Sequence, residues 1–493
     1  MQYPFTPKLL LNLAKSAAQK IELQPNQPDP IEIEKINENL TPNMRALRLT
    51  MNIADQLLSM GIAANDVVHN ALAITNTYCS RKVHIDISFT LLTISQDRGI
   101  DREPLTLIRT VVPRTTNYQT VQQLQELAKL IRSRRITLDG AEKRLENILS
   151  KPKQYSRWIT YLAGGGISAG ISILYTGSLT IILLNFLIGF FTSWILDKLG
   201  RVGIPSFFVQ AIAAGGITVV AALLTWLVHY NTSFASIAYI NPTLVVISGI
   251  VLLVAGMMIV SALQDAIDEY YLTASARILK VIMLTGGIVL GVAIGLYIAK
   301  KIGIAFATTP DQLALTSITY QYTGAAITAA SFALGNHSRL RGIILAGMVG
   351  MAGYYCANLF INYGIETIPA YGIAAWLIGF TATIFSRMWR IPSMSTISAG
   401  IIPLVPGISL YNGLMQIVQN PPGTEFFDQG LSVLFRAFMI AITIAAGASF
   451  GNILGRPMRR KLVKLHNQLP QHFKLHHKKN ESHHSTPPSN LAS

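Results

Sequence analysis

From Trp158 onward this chain is a succession of apolar blocks, each close to the ~20 residues that a helix needs to cross a bilayer. That pattern leaves few folds open. In hydrocarbon every backbone amide and carbonyl must find its partner inside the protein, so the blocks are expected to be helices packed on one another. Ten can be placed, centred near Ile167, Phe186, Ala214, Leu252, Ile288, Ala325, Val349, Leu377, Pro406 and Ile444. With 51% hydrophobic and 13% charged residues the chain is too apolar for one soluble core. A net charge of +16 would suggest nucleic acid, but the basic residues crowd the flanks and short loops of the apolar blocks. Sorting those loops by parity puts Lys198, Arg201, Arg277, Lys280, Arg339, Arg341, Arg387 and Arg390 on one side, against Lys300, Lys301 and Arg436 on the other. Positive-inside topology accounts for this and places both termini in the cytoplasm. The partner implied is the lipid bilayer, not a nucleic acid.

Residues 1–157 have another character, holding 21 of the 40 basic and 15 of the 24 acidic residues with no spanning run. Residues 1–41 read as a short basic amphipathic piece (8–15) followed by a linker rich in Pro, Asn and acids. The apolar part of that piece is too short for a signal peptide. Residues 42–157 read as a cytoplasmic α+β domain with helical periodicity from Pro42 and again over 65–77. A hairpin of strands 83–88 and 105–112 follows, then helices over 118–134 and 137–149, with Thr137 as N-cap. Cys79, His84, Asp86 and Ser88 supply the residue types of a hydrolytic site. Strict alternation also makes His84, Asp86 and Ser88 simply the solvated face of a strand, and no nucleophile elbow accompanies them. No phosphate-binding loop is present, no cofactor is implied, and two cysteines, Cys79 and Cys356, give no disulfide framework. The basic tail, 456–493, is expected to be disordered; its histidines, from His472 to His484, read as solvated, not as a metal site.

The ninth block is broken at its centre by Pro403, Pro406 and Gly407. Each proline lacks an amide hydrogen, so the carbonyls of Ala399 and Ile402 are expected to lose their helical partners. A span interrupted at mid-membrane is where transporters build binding sites, although a packing kink is the simpler alternative.

The same stretch occurs twice. Residues 249–256, Gly-Ile-Val-Leu-Leu-Val-Ala-Gly, match 400–407, Gly-Ile-Ile-Pro-Leu-Val-Pro-Gly, at an offset of 151. Further on, Tyr270-Tyr271 aligns with Phe426-Phe427, and the pair Gly291 and Gly295 aligns with Gly447 and Gly451. The chain therefore reads as two five-helix membrane repeats, 158–300 and 301–455. An odd number of spans per repeat inverts the second relative to the first, the plan of many secondary transporters. The fold class is a polytopic α-helical membrane protein, ten transmembrane helices in two inverted five-helix repeats behind an N-terminal cytoplasmic α+β domain.

These residues resemble a known family. Residues 59–69 (Ser-Met-Gly-Ile-Ala-Ala-Asn-Asp-Val-Val-His), 81–88, 105–109 and 155–158 are similar to the soluble domain of the threonine/serine exporter family, actinobacterial type. Residues 255–267 and 402–411 are similar to its two repeated membrane signatures, and the resemblance runs from about Arg45 to Leu454. It implies a multi-pass carrier of the bacterial plasma membrane that exports L-threonine and L-serine against protons, driven by the membrane potential or proton gradient, and not an enzyme. Many relatives carry proline where this chain has Ala255, so the sequence does not decide whether the fourth span breaks like the ninth. A homo-oligomer is compatible with the sequence.

A zwitterionic hydroxy amino acid needs donors for its carboxylate, acceptors for its ammonium and a polar partner for its hydroxyl. The broken span offers these through Pro403, Pro406 and Gly407, whose surroundings free backbone groups, and through Ser409, Tyr411 and Asn412. Gln264 closes the matching stretch of the first repeat, and Gln210 and Asn185 are the other mid-membrane polar groups. Among the few membrane carboxylates, Asp265 is the candidate proton carrier, with a helix-end ion pair to Arg277 or Lys280 as the alternative. Two other function classes stand beside transport. A membrane-embedded hydrolase would use the face of His84 and Asp86; a receptor or scaffold would use the soluble domain and leave the repeated break without purpose.

Overall fold

The computed structural model describes residues 41–99, 102–150, 155–230, 242–253, 256–303, 315–389 and 391–468. The basic piece at 8–15, the linker to residue 40 and the tail histidines from His472 onward lie outside the described residues.

The N-terminal domain begins with α1 (Pro42–Ser59), where the Thr41 hydroxyl accepts the Met44 amide at 3.4 Å and Pro42 takes a position that needs no amide. Helix α2 (Ala64–Tyr78) packs on it, and three strands follow: β1 (Val83–Ser88), β2 (Leu91–Gln96) and β3 (Leu105–Thr110). They form one antiparallel sheet in the order β1-β2-β3, so β1 and β3 flank β2 and do not pair as the expected hairpin. The sequence reading missed β2 because the turn before it carries no Asn-Gly or Asp-Gly signal. Instead Phe89 adopts φ 57°, and its amide is held at 3.0 Å by the Thr273 hydroxyl of the membrane part, a contact no local pattern reveals. Helix α3 (Tyr118–Arg132) is capped by the Asn117 side chain, which accepts the Gln119 and Thr120 amides. Helix α4 (Leu138–Ser150) is capped by Thr137 as expected, its hydroxyl accepting the Gly140 amide at 3.3 Å. Leu47, Ile53, Leu57, Ile74, Leu92, Ile94, Leu124 and Leu145 close the core, and Arg45 on α1 pairs with Asp139 and Glu142 on α4.

The membrane part runs α5 (Arg157–Tyr175), α6 (Leu179–Arg201), α7 (Ser206–Tyr230), α8 (Pro242–Leu253), α9 (Gly256–Ile267) and α10 (Tyr271–Lys301). It continues as α11 (Ile318–Gly335), α12 (Leu340–Asn362), α13 (Thr367–Met388), α14 (Ser393–Ile401), a 3₁₀ turn (Ile402–Leu404), α15 (Gly407–Gln419) and α16 (Glu425–Gln468). Among the described residues seven of these helices are long and apolar enough to cross a membrane, and the bent pair Ser393–Leu404 and Ser409–Ile417 makes an eighth. Each of the ten expected centres falls on or between these helices. Helix α11, which carries Gln321 and several hydroxyls, and the short pair α8 and α9 are the two positions outside that count. Helix α16 continues to Gln468, so residues 456–468, expected to be disordered, are helical.

Packing repeats along with sequence. In the first half α5 packs on α6, α7 on α10, α9 on α10, and α8 on α5, α6 and α7. In the second half the matching pairs are α11 on α12, α13 on α16, α15 on α16, and α14 on α11, α12 and α13. Helices α5 and α11 pack on each other between the halves, while α9 reaches α16 and α15 reaches α10. The glycine pairs explain the closest of these contacts. A Cβ on Gly291 would enter the Ala211 carbonyl of α7, and one on Gly447 would enter the Gly372 carbonyl of α13, so only glycine lets these backbones meet.

Candidate functional site

Helix α14 spans nine residues, about 14 Å at 1.5 Å per residue and so about half the length that a ~30 Å hydrocarbon core requires, before the break occurs. There Pro403 forces a 3₁₀ turn, and the segments on either side meet at a 49° bend. The expected loss of carbonyl partners at Ala399 and Ile402 does not occur. The Ile402 amide donates to the Ala399 carbonyl, and the Val405 amide to the Ile402 carbonyl at 3.2 Å, because tightening from α to 3₁₀ shifts each bond by one residue. The Gly407 amide closes a further tight turn onto the Val405 carbonyl at 2.7 Å. What the break does provide is a fresh helix start. Helix α15 begins at Gly407, and the amides of a first helical turn are left unpaired by the helix itself, at its positive dipole end.

In the first half the matching stretch, 151 residues earlier, is helical up to Leu253 on α8 and from Gly256 on α9. Residues 254 and 255, including Ala255, lie outside the described residues.

Around α15 the side chains divide by face. Tyr411 and Met415 are buried between the halves against Ile250 of α8 and Ile288 and Val292 of α10, and with Thr285 they border a small cavity beside the break. Ser409, Asn412 and Gln416 follow at i, i+3 and i+7, which places them on one stripe, each half-buried. The Asn412 Oδ1 and Gln416 Oε1 atoms are buried and have no hydrogen-bond donor among the described residues. The same is true of Gln210 Oε1 on α7, beside Gly287 of α10. A buried acceptor left unpaired costs about 1–3 kcal/mol, which a ligand's N–H groups would recover. Gln416 was not among the sequence candidates; its i+4 spacing from Asn412 was the signal. Asn185 donates through Nδ2 to Ser172 Oγ at 2.9 Å, and its buried Oδ1 likewise has no donor among the described residues.

Gln264 and Asp265 lie elsewhere. Gln264 is eight residues past Gly256, about 12 Å along α9, towards the end that meets the N-terminal domain. The Asp265 carboxylate is fully buried there, with Arg277 Nη1 at 2.6 Å from Oδ2 and the Ala64 amide donating to Oδ1 at 3.1 Å. Asp265 thus caps α2 of the N-terminal domain, and Arg277 completes the joint by donating to the Ile62 carbonyl at 3.4 Å. The sequence candidates fall into two groups, the break with its polar stripe and the joint at Asp265.

The hydrolytic reading finds no assembled site. Cys79 caps the C-terminal end of α2 and packs against the domain core, and burial pushes its thiol up to about 11, away from the thiolate that a nucleophile needs. His84 and Asp86 are exposed on β1, and Ser88 Oγ donates to Asp86 Oδ2 at 3.3 Å, as the solvated face of a strand. Among the described residues no cluster of His, Cys, Asp and Glu could hold a metal.

Comparison with known proteins gives the context for this geometry. A family model described as a threonine/serine exporter matches residues 48–299, and a second threonine/serine exporter model matches 321–453. The chain is 30% identical over 427 residues to a "Probable threonine/serine exporter" of Mycobacterium tuberculosis, covering 84% of this chain and 77% of that one. It is 28% identical over 417 residues to the "Threonine/serine exporter" of Corynebacterium glutamicum, covering 84% and 83%. No solved structure matches the chain.

Proposed function

Because the chain belongs to the threonine/serine exporter family, we propose that it is a secondary active carrier that exports L-threonine and L-serine across the bacterial plasma membrane. The observation that carries the reading is the broken helix with its fresh start at Gly407, on one copy of a signature that occurs twice, in halves whose helices pack alike. That arrangement supports two inverted repeats of five spans, with α8 and α9 forming the fourth and α14 and α15 the ninth. In it the start of α15 receives the substrate carboxylate, and Asn412 and Gln416 accept from the ammonium. Ser409 or Thr285 meets the side-chain hydroxyl, and Tyr411 seals the site between the halves.

Both termini are cytoplasmic in this reading. The soluble domain rests against the turns after α9, α11 and α13, the ends that charge sorting assigns to the inside. Export is driven by the proton motive force. One proton entering supplies about 2.3 kcal/mol per 100 mV, enough for roughly a 50-fold substrate gradient. Asp265 remains the candidate for that proton, in competition with its joint to Arg277. The test is flux of labelled threonine and serine in liposomes holding only the purified protein, with and without an imposed pH gradient. Absence of any flux would refute the carrier; flux that ignores the pH gradient and potential would refute the coupling.

A further inference from the structure

The soluble domain touches both halves of the membrane part, and the two joints differ in kind. On the first half, the Asp265 and Arg277 pair caps α2, and the Thr273 hydroxyl is bonded within the turn between β1 and β2, accepting the Phe89 amide and donating to the Ile87 carbonyl at 3.3 Å. Tyr270 packs against the domain's own core. This joint is charged, buried and backed by apolar contact. On the second half, the Tyr118 amide donates to the Asn336 carbonyl at 3.0 Å, the Tyr155 hydroxyl to the Ser338 carbonyl at 2.9 Å, and the Tyr118 ring lies buried with its hydroxyl on Ser398. The bonds of that joint join neutral groups with no ion pair described across it, a cleft lined by Gln119, Arg339 and Ile391 opens beside it, and Gln119 Oε1 is buried there without a donor among the described residues.

Backbone strain gathers at the same places. Of the four non-glycine residues described with positive φ, Phe89 (57°), Glu269 (68°) and His337 (57°) stand in the three turns that make these joints. Such conformations cost about 1–3 kcal/mol each and persist where the surroundings over-determine them, notably at switches. The domain also ties together the helices that carry the two copies of the signature, holding α9 through Asp265 and α14 through Tyr118 on Ser398.

We propose that the soluble domain is the carrier's cytoplasmic gate: it stays fastened to the first half through Asp265, Arg277 and Thr273, and parts from the second half at Tyr118 and Asn336 whenever the path opens inward. A carrier of two halves opens on one side by separating them there, so a body bolted to both must release one. The joint held by neutral hydrogen bonds, beside a cleft and with an unsatisfied acceptor, is the one that yields. This inference rests on the alternating-access reading above.

Two cross-links test it, each in a chain with Cys79→Ser and Cys356→Ser. One pairs Tyr118→Cys with Asn336→Cys, the other Phe89→Cys with Thr273→Cys; residues already bonded across each joint lie within disulfide reach. Exchange of labelled threonine is measured in proteoliposomes before and after oxidation and after reduction. Locking 118 to 336 should cut exchange at least tenfold, with recovery on reduction, while locking 89 to 273 should change it less than twofold. Unchanged exchange in the first lock, a block by the second, or failure of either pair to cross-link overturns the gate. If wild-type liposomes exchange no threonine, the functional reading itself has failed, and the gate with it.

Discussion

Replacing Asp265 by alanine should detach the soluble domain locally without unfolding the membrane part. The carboxylate is fully buried, Arg277 beside it is only 14% exposed, and removal leaves a buried cation without its partner. Breaking such a pair costs about 3–5 kcal/mol, and losing the cap on the Ala64 amide adds about 1 kcal/mol. At 1.4 kcal/mol per factor of ten, a loss of about 4 kcal/mol corresponds to roughly a thousandfold faster exchange at amides that open by undocking. Hydrogen exchange read by mass spectrometry should place that change over the start of α2 and the turn between β1 and β2, leaving the centres of α10 and α16 protected. Adding Arg277→Met should recover most of the protection, because it removes the stranded charge. Exchange within twofold of wild type in the single variant would refute the latch, and would return Asp265 to the role of a free proton carrier.

Alanine at both Pro403 and Pro406 should straighten the 49° bend into a continuous helix, leaving a folded protein with at least tenfold less threonine flux in proteoliposomes; wild-type flux would make the break mere packing. Asp55, buried beside Arg109 at 3.8 Å, has its carboxyl raised by desolvation, with Arg109 and Arg114 opposing. The folded state therefore binds its proton more tightly than the unfolded chain, and stability from this group is lost as pH rises from the ordinary carboxylate value near 3.9 through the raised one. Asp55→Asn should then raise the unfolding temperature at pH 7 and leave it unchanged below pH 4, as a thermal scan across pH would read. With its thiol at about 11, Cys79 should resist alkylation at pH 7.5 in the folded protein and react once the domain is denatured; rapid native labelling would contradict its burial.

Much of this architecture was legible because membrane helices announce themselves by length and composition, and because glycine pairs such as Gly291 and Gly295 recur where backbones must touch. The break in α14 was legible from two prolines. Its consequence was not, since the shift to 3₁₀ bonding re-pairs Ala399 and Ile402 through local geometry that residue types do not record. Strand β2 stayed hidden because its turn is held by Thr273, 184 residues away in sequence. Asp265 was recognised as special for its position at a span's end. Its partner Arg277 was foreseen as one alternative, but the Ala64 amide was not, because nothing in a sequence tells which helix will dock on a given carboxylate.

The soluble domain sits at one end of a membrane part whose halves pack alike. On the proposed cycle, two halves that merely exchanged conformations would leave the inward and outward states nearly equal in energy. A load carried on one end only removes that degeneracy. It lowers the state closed towards the cytoplasm by whatever its second joint is worth, so an idle carrier waits facing out, and apparent affinity differs between the two sides. The standing gradient is untouched by this, since the driving force alone fixes it. The domain sets how long the carrier dwells on each face, and hence how fast export responds when the amino acid accumulates inside.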